Sequence, residues 1–252
     1  MKDEPERATL DAPTRDRRVA VVTGASSGVG RAIALALGRA GFSLHIVGRD
    51  VERLATTAAE ARHFTTVHVH QCDLANDESL SGLVEALNGS LERLDVLVHA
   101  AGVIHQGHLE QATAGQFDEQ YRTNVRVPYL LTKRLSRLLI HARGQIVFLN
   151  SSVGLTVNRP EIAQYAATKH ALKGIADGLR AELNPKGLRV LSLFLGRTAT
   201  AMQERLCEQN QQPYRPSTLL QPQDVATMVL AALALPMTAE VTDISIRPMA
   251  PP

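Results

Sequence analysis

Tyr165 and Lys169, four positions apart in Tyr165-Ala166-Ala167-Thr168-Lys169, are the residues whose types and spacing most plainly admit chemistry. They lie where the apolar spacing predicts a long helix, from about Glu161 to Leu183. Residues four apart share a helix face, so the phenol and the amine project into one space. A free phenol titrates near ~10, too high for efficient proton exchange at neutral pH. A neighbouring ammonium favours the phenolate, and bringing the phenol near neutrality takes about 4 kcal/mol of differential interaction. One ammonium in a partly dry cleft, helped by the positive charge of an oxidised nicotinamide, can supply that. Tyr165 would then give a proton to a carbonyl oxygen or take one from an alcohol. Ser152, in Asn150-Ser151-Ser152 and thirteen positions upstream of Tyr165, offers a hydroxyl to the same oxygen.

A second constellation opens the chain. Thr23-Gly24-Ala25-Ser26-Ser27-Gly28-Val29-Gly30 follows a short β-branched run and precedes a helical apolar pattern. Gly24 permits a tight turn, Gly28 lets a phosphate approach the backbone, and Gly30 lets helix and strand pack closely. The helix N-terminus then turns free N–H groups and a partial positive charge toward a pyrophosphate. At the end of the second predicted strand, Gly48 stands where an NAD-gripping acid belongs, and Arg49 follows. A guanidinium suits a 2′-phosphate through paired charge-assisted hydrogen bonds, and the Ser26 hydroxyl can join it. The expected cofactor is NADP(H) in preference to NAD(H).

These residues need a scaffold that holds strand ends together. Apolar runs predict strands at 19–22, 44–47, 66–71, 94–99, 145–150, 188–195 and 241–246. Helical patterns separate them, near 30–39, 51–62, 77–91, 113–125, 127–141 and 161–183. Alternating strands and helices imply right-handed crossovers and a doubly wound, Rossmann-like α/β domain around a mostly parallel seven-stranded sheet, with helices on both faces. Ligands of such sheets bind at the carboxyl ends of the strands, near the point where strand order reverses. Residues 1–17 are polar and form an expected disordered extension, leaving 18–252 as one catalytic domain. Thr200 to Gln221 is rich in Gln and Pro, and part of it is expected to be a mobile substrate loop.

The glycine gaps, three residues and then one, differ from the commoner dinucleotide fingerprint. With Tyr165, Lys169 and the upstream serine, they resemble the short-chain dehydrogenase/reductase family over nearly all of 18–250. The resemblance implies hydride transfer between nicotinamide and a carbonyl or secondary alcohol. It implies Ser152, Tyr165 and Lys169 as catalytic residues and Asn124 as holder of a water in a proton relay. Asp73 and Leu74 match the family's adenine-contacting pair, though Asp73 can equally cap the turn that follows it. Ala101 and Gly102 lie along the cofactor, and Gly196, Thr198 and Thr200 belong to a segment beside the nicotinamide amide. The chain departs from the pattern at His99-Ala100, where the family usually has two asparagines, and at Leu195, where it usually has proline. Some hydrogen bonding between the central strands must therefore be replaced or lost.

Composition bounds the alternatives. The 252 residues are 44% hydrophobic and 21% charged, with a net charge of +2, too small to argue for nucleic acid or an anionic membrane. No run is apolar enough to span a bilayer, the two cysteines fit a reducing cytoplasm, and no ligand set for a metal is evident. His68 and His70 share a strand face and are expected to be ordinary strand residues. His105, His108, Arg159 and Arg197 follow strand ends, where substrate contact and plain solvation are both open. Apolar residues on more than one face of the helices near 127–141 and 161–183 point to a homo-oligomer, a dimer or tetramer. A non-catalytic dinucleotide sensor on the same fold is the main alternative; an epimerase or dehydratase and a zinc-dependent alcohol dehydrogenase fit the residues less well.

Overall fold

The computed structural model describes residues 17–157 and 159–249. The expected extension lies outside the described residues except for Arg17, as do the last three positions of the expected domain. Seven strands are described, β1 (Val19–Thr23), β2 (Ser43–Gly48), β3 (Val67–Gln71), β4 (Val96–His99), β5 (Gln145–Ser151), β6 (Arg189–Leu195) and β7 (Asp243–Ile246). They form one sheet in the order β3-β2-β1-β4-β5-β6-β7, and every pairing is parallel. The expected doubly wound α/β architecture is the one observed.

The helices are α1 (Gly28–Arg39), α2 (Val51–Ala61), α3 (Asp77–Ser90), α4 (Ala114–Tyr121), α5 (Val127–Ala142), α6 (Ala163–Leu183), α7 (Ala201–Gln209) and α8 (Pro222–Leu233). Short polar side chains start several of them. Asp50 accepts from Arg53 N–H at the head of α2 and Asn76 from Ser79 N–H at the head of α3, while Thr113 and Gln116 close a reciprocal box on α4. One apolar layer joins α1, α2 and α8 to one face of the sheet, and a second joins α3, α5 and α6 to the other. Strands covered on both faces need continuous apolar runs, which is why β4 and β6 are buried at every position.

Two local features differ from expectation. Between α4 and α5 the chain stays helical through a π-helical segment, Arg122–Arg126. The stretch expected to be partly a mobile loop contains α7, which Thr200 caps by accepting from Gln203 N–H and which buries Leu206 and Cys207. The excursion also closes at its base. Thr198 and Leu220 form a parallel bridge, with Ala199 N–H donating to Leu220 O at 2.8 Å and Leu220 N–H to Arg197 O at 3.1 Å.

Candidate active site

Strand order reverses between β1 and β4, so the loops leaving their carboxyl ends diverge and open a crevice. The glycine turn lines it. Gly24 has φ +66°, and a Cβ there would lie 2.7 Å from Ala101 N. A Cβ on Gly30 would lie 2.3 Å from Gly24 O. The turn therefore excludes side chains at both positions, and it presses α1 against the segment that carries Ala101 and Gly102. Ser27 precedes α1 without a side-chain capping bond, and no acid occupies the helix's first turn. Its leading N–H groups are left to an outside anion, and Ser26, Ser27, Gly28 and Val29 surround them. A Cβ on Gly28 would meet Thr200 Cγ2 at 3.0 Å, so the head of α7 stands directly over the turn.

The end of β2 continues this surface. A Cβ on Gly48 would come within 3.4 Å of Ser26 Oγ, so the Ser26 hydroxyl and the Gly48-Arg49 backbone adjoin. Arg49 is exposed and makes no ion pair with another described residue. Asp73 accepts from Ala75 N–H at 3.1 Å, the turn-capping role left open above, and remains exposed. The Leu74 side chain is buried in the apolar layer that holds α3. Thr198 donates to Gly196 O at 2.9 Å, and Thr200 is committed to capping α7. The open α1 N-terminus and the side-chain-free turn fit the phosphates of a dinucleotide.

At His99-Ala100, where hydrogen bonding was expected to be replaced or lost, Thr23 ties the two central strands together. Its hydroxyl donates to Val98 O at 3.2 Å and accepts from Ala100 N–H at 3.1 Å and Ala101 N–H at 3.2 Å. His99 serves another purpose. Its ring stacks on Phe148 with centroids 4.9 Å apart, and Nε2 meets Thr132 Oγ1 at 2.8 Å, tying β4 to α5. Nδ1 is buried without a partner among the described residues. Burial lowers the ring's pKa to about 3.

The catalytic candidates converge at the end of β5. Tyr165, on the first turn of α6, is half-buried. Ser151 ends β5, and the expected Ser152 begins the one-turn 3-10 helix that follows and is exposed. Lys169 is buried, with Nζ 5.7 Å from the centre of the Tyr165 ring and donating to Leu149 O at 3.0 Å. Asn150 locks the arrangement from below, donating to Lys169 O at 3.1 Å and accepting from Ser151 N–H at 2.8 Å. Sequence reasoning missed this bracing role of Asn150, although it lies in the quoted Asn150-Ser151-Ser152.

Asn124 is buried in the π segment and clamps rather than dangles. It accepts from Val103 N–H and donates to Val103 O, both at 2.9 Å, and also donates to Thr168 Oγ1 at 3.2 Å. The electrostatics also differ from expectation. Burial pushes the Tyr165 phenol up to about 12, opposed by the Ser151 hydrogen bond and the positive charge of Arg159. Burial lowers the Lys169 ammonium to about 8. Burial is thus the largest influence on both groups in the protein alone.

Three loops wall the remaining side. Gly107 N–H donates to Glu161 O at 2.9 Å, His108 Nε2 meets the Glu161 carboxylate at 2.9 Å, and Asn210 donates to Gln106 at 3.0 Å. His105 pairs with Glu119 at 2.8 Å. The two histidines left open above thus each contact a carboxylate, Glu119 and Glu161, while Arg159 and Arg197 are exposed. At the far edge of the sheet, His45 stacks with His68 and His70, with ring centroids 4.5 and 5.2 Å away. No group of three or more metal-ligating side chains is assembled among the described residues, nor is any helix among them long and apolar enough to cross a membrane.

Known proteins share this arrangement. The profile of the short chain dehydrogenase family matches residues 18–211. An uncharacterized oxidoreductase of Staphylococcus haemolyticus is 30% identical over 92% of this chain and 97% of its own length. The structure of an alcohol dehydrogenase from the archaeon Thermococcus sibiricus, complexed with 5-hydroxy-NADP, superposes with a TM-score of 0.84. It is 27% identical and covers 93% of this chain and 97% of that one. A variant of actinorhodin polyketide ketoreductase with NADPH superposes with a TM-score of 0.82, at 26% identity, 92% coverage of this chain and 97% of that one. A glycine turn with these gaps, a serine–tyrosine–lysine cluster at the end of β5 and a family match over most of the chain agree: this protein belongs to the short-chain dehydrogenase family of oxidoreductases.

Proposed function

We propose that the protein is an NADP(H)-dependent oxidoreductase that interconverts a carbonyl compound and its secondary alcohol. The observation that carries this reading is the pairing of Tyr165 with the buried Lys169 one turn further along α6, Nζ 5.7 Å from the ring centre, next to the serines that end β5. A bound nicotinamide would supply or accept the hydride. The protein's part is to handle the proton and the developing charge on oxygen. Tyr165 gives its proton to the carbonyl oxygen, or takes it back from the alcohol. Ser152, one residue beyond β5, donates a hydrogen bond to the same oxygen, where charge builds up. Lys169 keeps a positive charge one turn away, so that Tyr165 can bear the negative charge it acquires. Asn124 holds the Val103 loop and Thr168 in register. A proton relay through water at this asparagine belongs to the same proposal.

NADP(H) is favoured by the side-chain-free Gly48 beside Ser26 and by the unpaired Arg49. The NADP-type ligands in the related structures support the same choice. Phe117, Tyr121 and Tyr129 are exposed along α4 and α5, and we assign this apolar stripe to contacts between copies of the chain. The deciding experiment follows NADPH and NADH consumption over a panel of aldehydes and ketones, with Tyr165→Phe as control. Turnover that requires Tyr165 and prefers NADPH is the expected result. Near-normal turnover in Tyr165→Phe overturns the reading.

A further inference from the structure

Gln120 is the one buried residue of α4, at 0% exposure, in a helix position that an apolar side chain would ordinarily fill. A buried amide is costly unless its ends are bonded, and both ends are. Oε1 accepts from His105 N–H at 3.0 Å, on the loop after β4, and Nε2 donates to Gln164 Oε1 at 3.3 Å, on the first turn of α6. Gln164 donates in turn to Thr113 O at 3.1 Å, at the head of α4. Asn124, four residues on, joins the same two segments, holding Val103 in the loop and Thr168 on α6. The two amides are rungs between the β4–α4 loop and α6. They meet α6 at 164 and 168, and Tyr165 lies between those positions, its carbonyl accepting from Thr168 Oγ1 at 2.7 Å.

The start of α6 depends on such outside support, because Ile162 at its N-cap makes no side-chain capping bond. On the solvent side, Glu161 at φ +69° is held by Gly107 N–H on its carbonyl and His108 on its carboxylate, both at 2.9 Å. The two attachments differ in weight. The His108–Glu161 pair is open to water, which competes for both partners. The Gln120 amide is enclosed, so removing it leaves His105 N–H and Gln164 without the partner they now have. The buried rung decides where the first turn of α6 rests.

We propose that Gln120 is a positioning residue for the reaction: through Gln164 it fixes the first turn of α6 against the β4–α4 loop, and so aims the Tyr165 hydroxyl at the reacting oxygen. The inference rests on the function proposed above and deepens it. Proton transfer needs the phenol within hydrogen-bonding reach of that oxygen, and a displacement of about 1 Å can cost up to about 100-fold in rate. The nucleotide is bound by other elements, so the loss should fall on kcat and not on NADPH.

The test compares wild type, Gln120→Met, Gln120→Glu and Thr65→Val. The methionine keeps length and volume without hydrogen bonds. Thr65→Val removes an equally buried bond, from the Thr65 hydroxyl to Phe42 O at 2.8 Å, at the opposite end of the strands. Gln120→Met should lower kcat for a carbonyl substrate by about tenfold with KM for NADPH unchanged, while Thr65→Val leaves kcat as it was. In Gln120→Glu, the ratio of kcat to that of wild type should rise as pH falls, since the protonated carboxyl donates to Gln164 as the amide does and the ionised one cannot. The neighbouring His105–Glu119 pair titrates in both proteins and cancels in that ratio. Deuterium exchange should quicken together in the β4–α4 loop and the first turn of α6 in Gln120→Met, and in neither segment in Thr65→Val. Unchanged kcat or unchanged exchange in Gln120→Met overturns the proposal, as does an equal loss of kcat in Thr65→Val, which marks a merely structural effect. Should Gln120→Met not fold, Gln120→Glu decides: a ratio independent of pH overturns the proposal. If the wild type reduces no carbonyl, the oxidoreductase reading fails, while the joint quickening of exchange still assigns control of the Tyr165 turn to Gln120.

Discussion

At the dinucleotide turn, the groups that would meet a ligand are main-chain N–H groups and the spaces where Cβ atoms are missing. Across the cleft they are side chains: Tyr165 and Lys169 on α6, the serines at the end of β5, and the loop pairs that brace Glu161. The difference has a physical basis. A pyrophosphate is the same in every dinucleotide, so a backbone cradle serves it at no cost in side-chain entropy. A substrate varies, and side chains on loops change more readily than the ends of packed strands. The first half should therefore break on the addition of one methyl group. The second should break only at its few reacting groups and respond gradually elsewhere.

The largest effect belongs to the reacting group. Tyr165→Phe should lower kcat by about 10³-fold, within the usual range for removing a general acid, with NADPH affinity by fluorescence titration nearly unchanged. A parallel loss of NADPH affinity would mean that the two halves are not separable. Next comes the cradle. Gly30→Ala places a Cβ 2.3 Å from Gly24 O, against backbone that cannot swing aside. NADPH affinity should fall by about 100-fold, since main-chain displacement disrupts the phosphate donors together. Unaltered affinity in this variant would show that the turn does not hold the pyrophosphate.

Acid stability tests the sheet that both halves share. His45 and His99 are held neutral in the folded protein down to about pH 3, mainly by burial, whereas in the unfolded chain they take up protons below about 6.5. Above that value both states are neutral and these rings add nothing to the pH dependence. As pH falls from about 6.5 toward about 3 the unfolded state binds more protons, so stability is lost. At pH ~5 the loss is about 2 kcal/mol for each ring, readable as a drop in the urea midpoint relative to neutral pH. His99→Asn should flatten that slope by roughly half, and an unchanged slope would remove His99 from the account. Arg49→Ala should shift the NADPH-to-NADH preference by about tenfold through a lost charge-assisted contact; a preference for NADH in both proteins would contradict the assignment. The smallest effect is expected at the exposed Asn210–Gln106 bond. Asn210→Ala should change unfolding free energy by under about 0.5 kcal/mol while raising KM for the carbonyl substrate and leaving that for NADPH alone. Equal changes in both would place this contact outside the substrate half.

The same division governs what the sequence made legible. The sheet, the turn at Gly24–Gly30 and the shared face of Tyr165 and Lys169 follow from short-range periodicity, which the chain expresses locally. The bracing by Asn150 was not legible, because it depends on contacts with Lys169 O nineteen residues away in sequence. Helix α7 was partly missed because its Gln-rich stretch has little apolar period; a Thr200 cap and two buried residues, Leu206 and Cys207, suffice to form it. The upward push on the phenol comes from burial, which depends on the packing of the whole domain. The bonds by which Thr23 ties the central strands at His99-Ala100 reach more than seventy residues along the sequence, beyond any local pattern.

The π-helical segment Arg122–Arg126 sets a rule about length. Such a segment stores one residue more than an α-helix needs for the same rise, and each residue turns the helix by about 100°. Removing any one of these five residues would leave α4 and α5 able to form, yet it would swing the Asn124 amide away from Val103 and Thr168 or carry α4 out of step with α6. A homologue one residue shorter here should therefore lack a braced Val103 loop even if its serine, tyrosine and lysine are intact, which makes a one-residue gap at this point as informative as a substitution in the reacting groups.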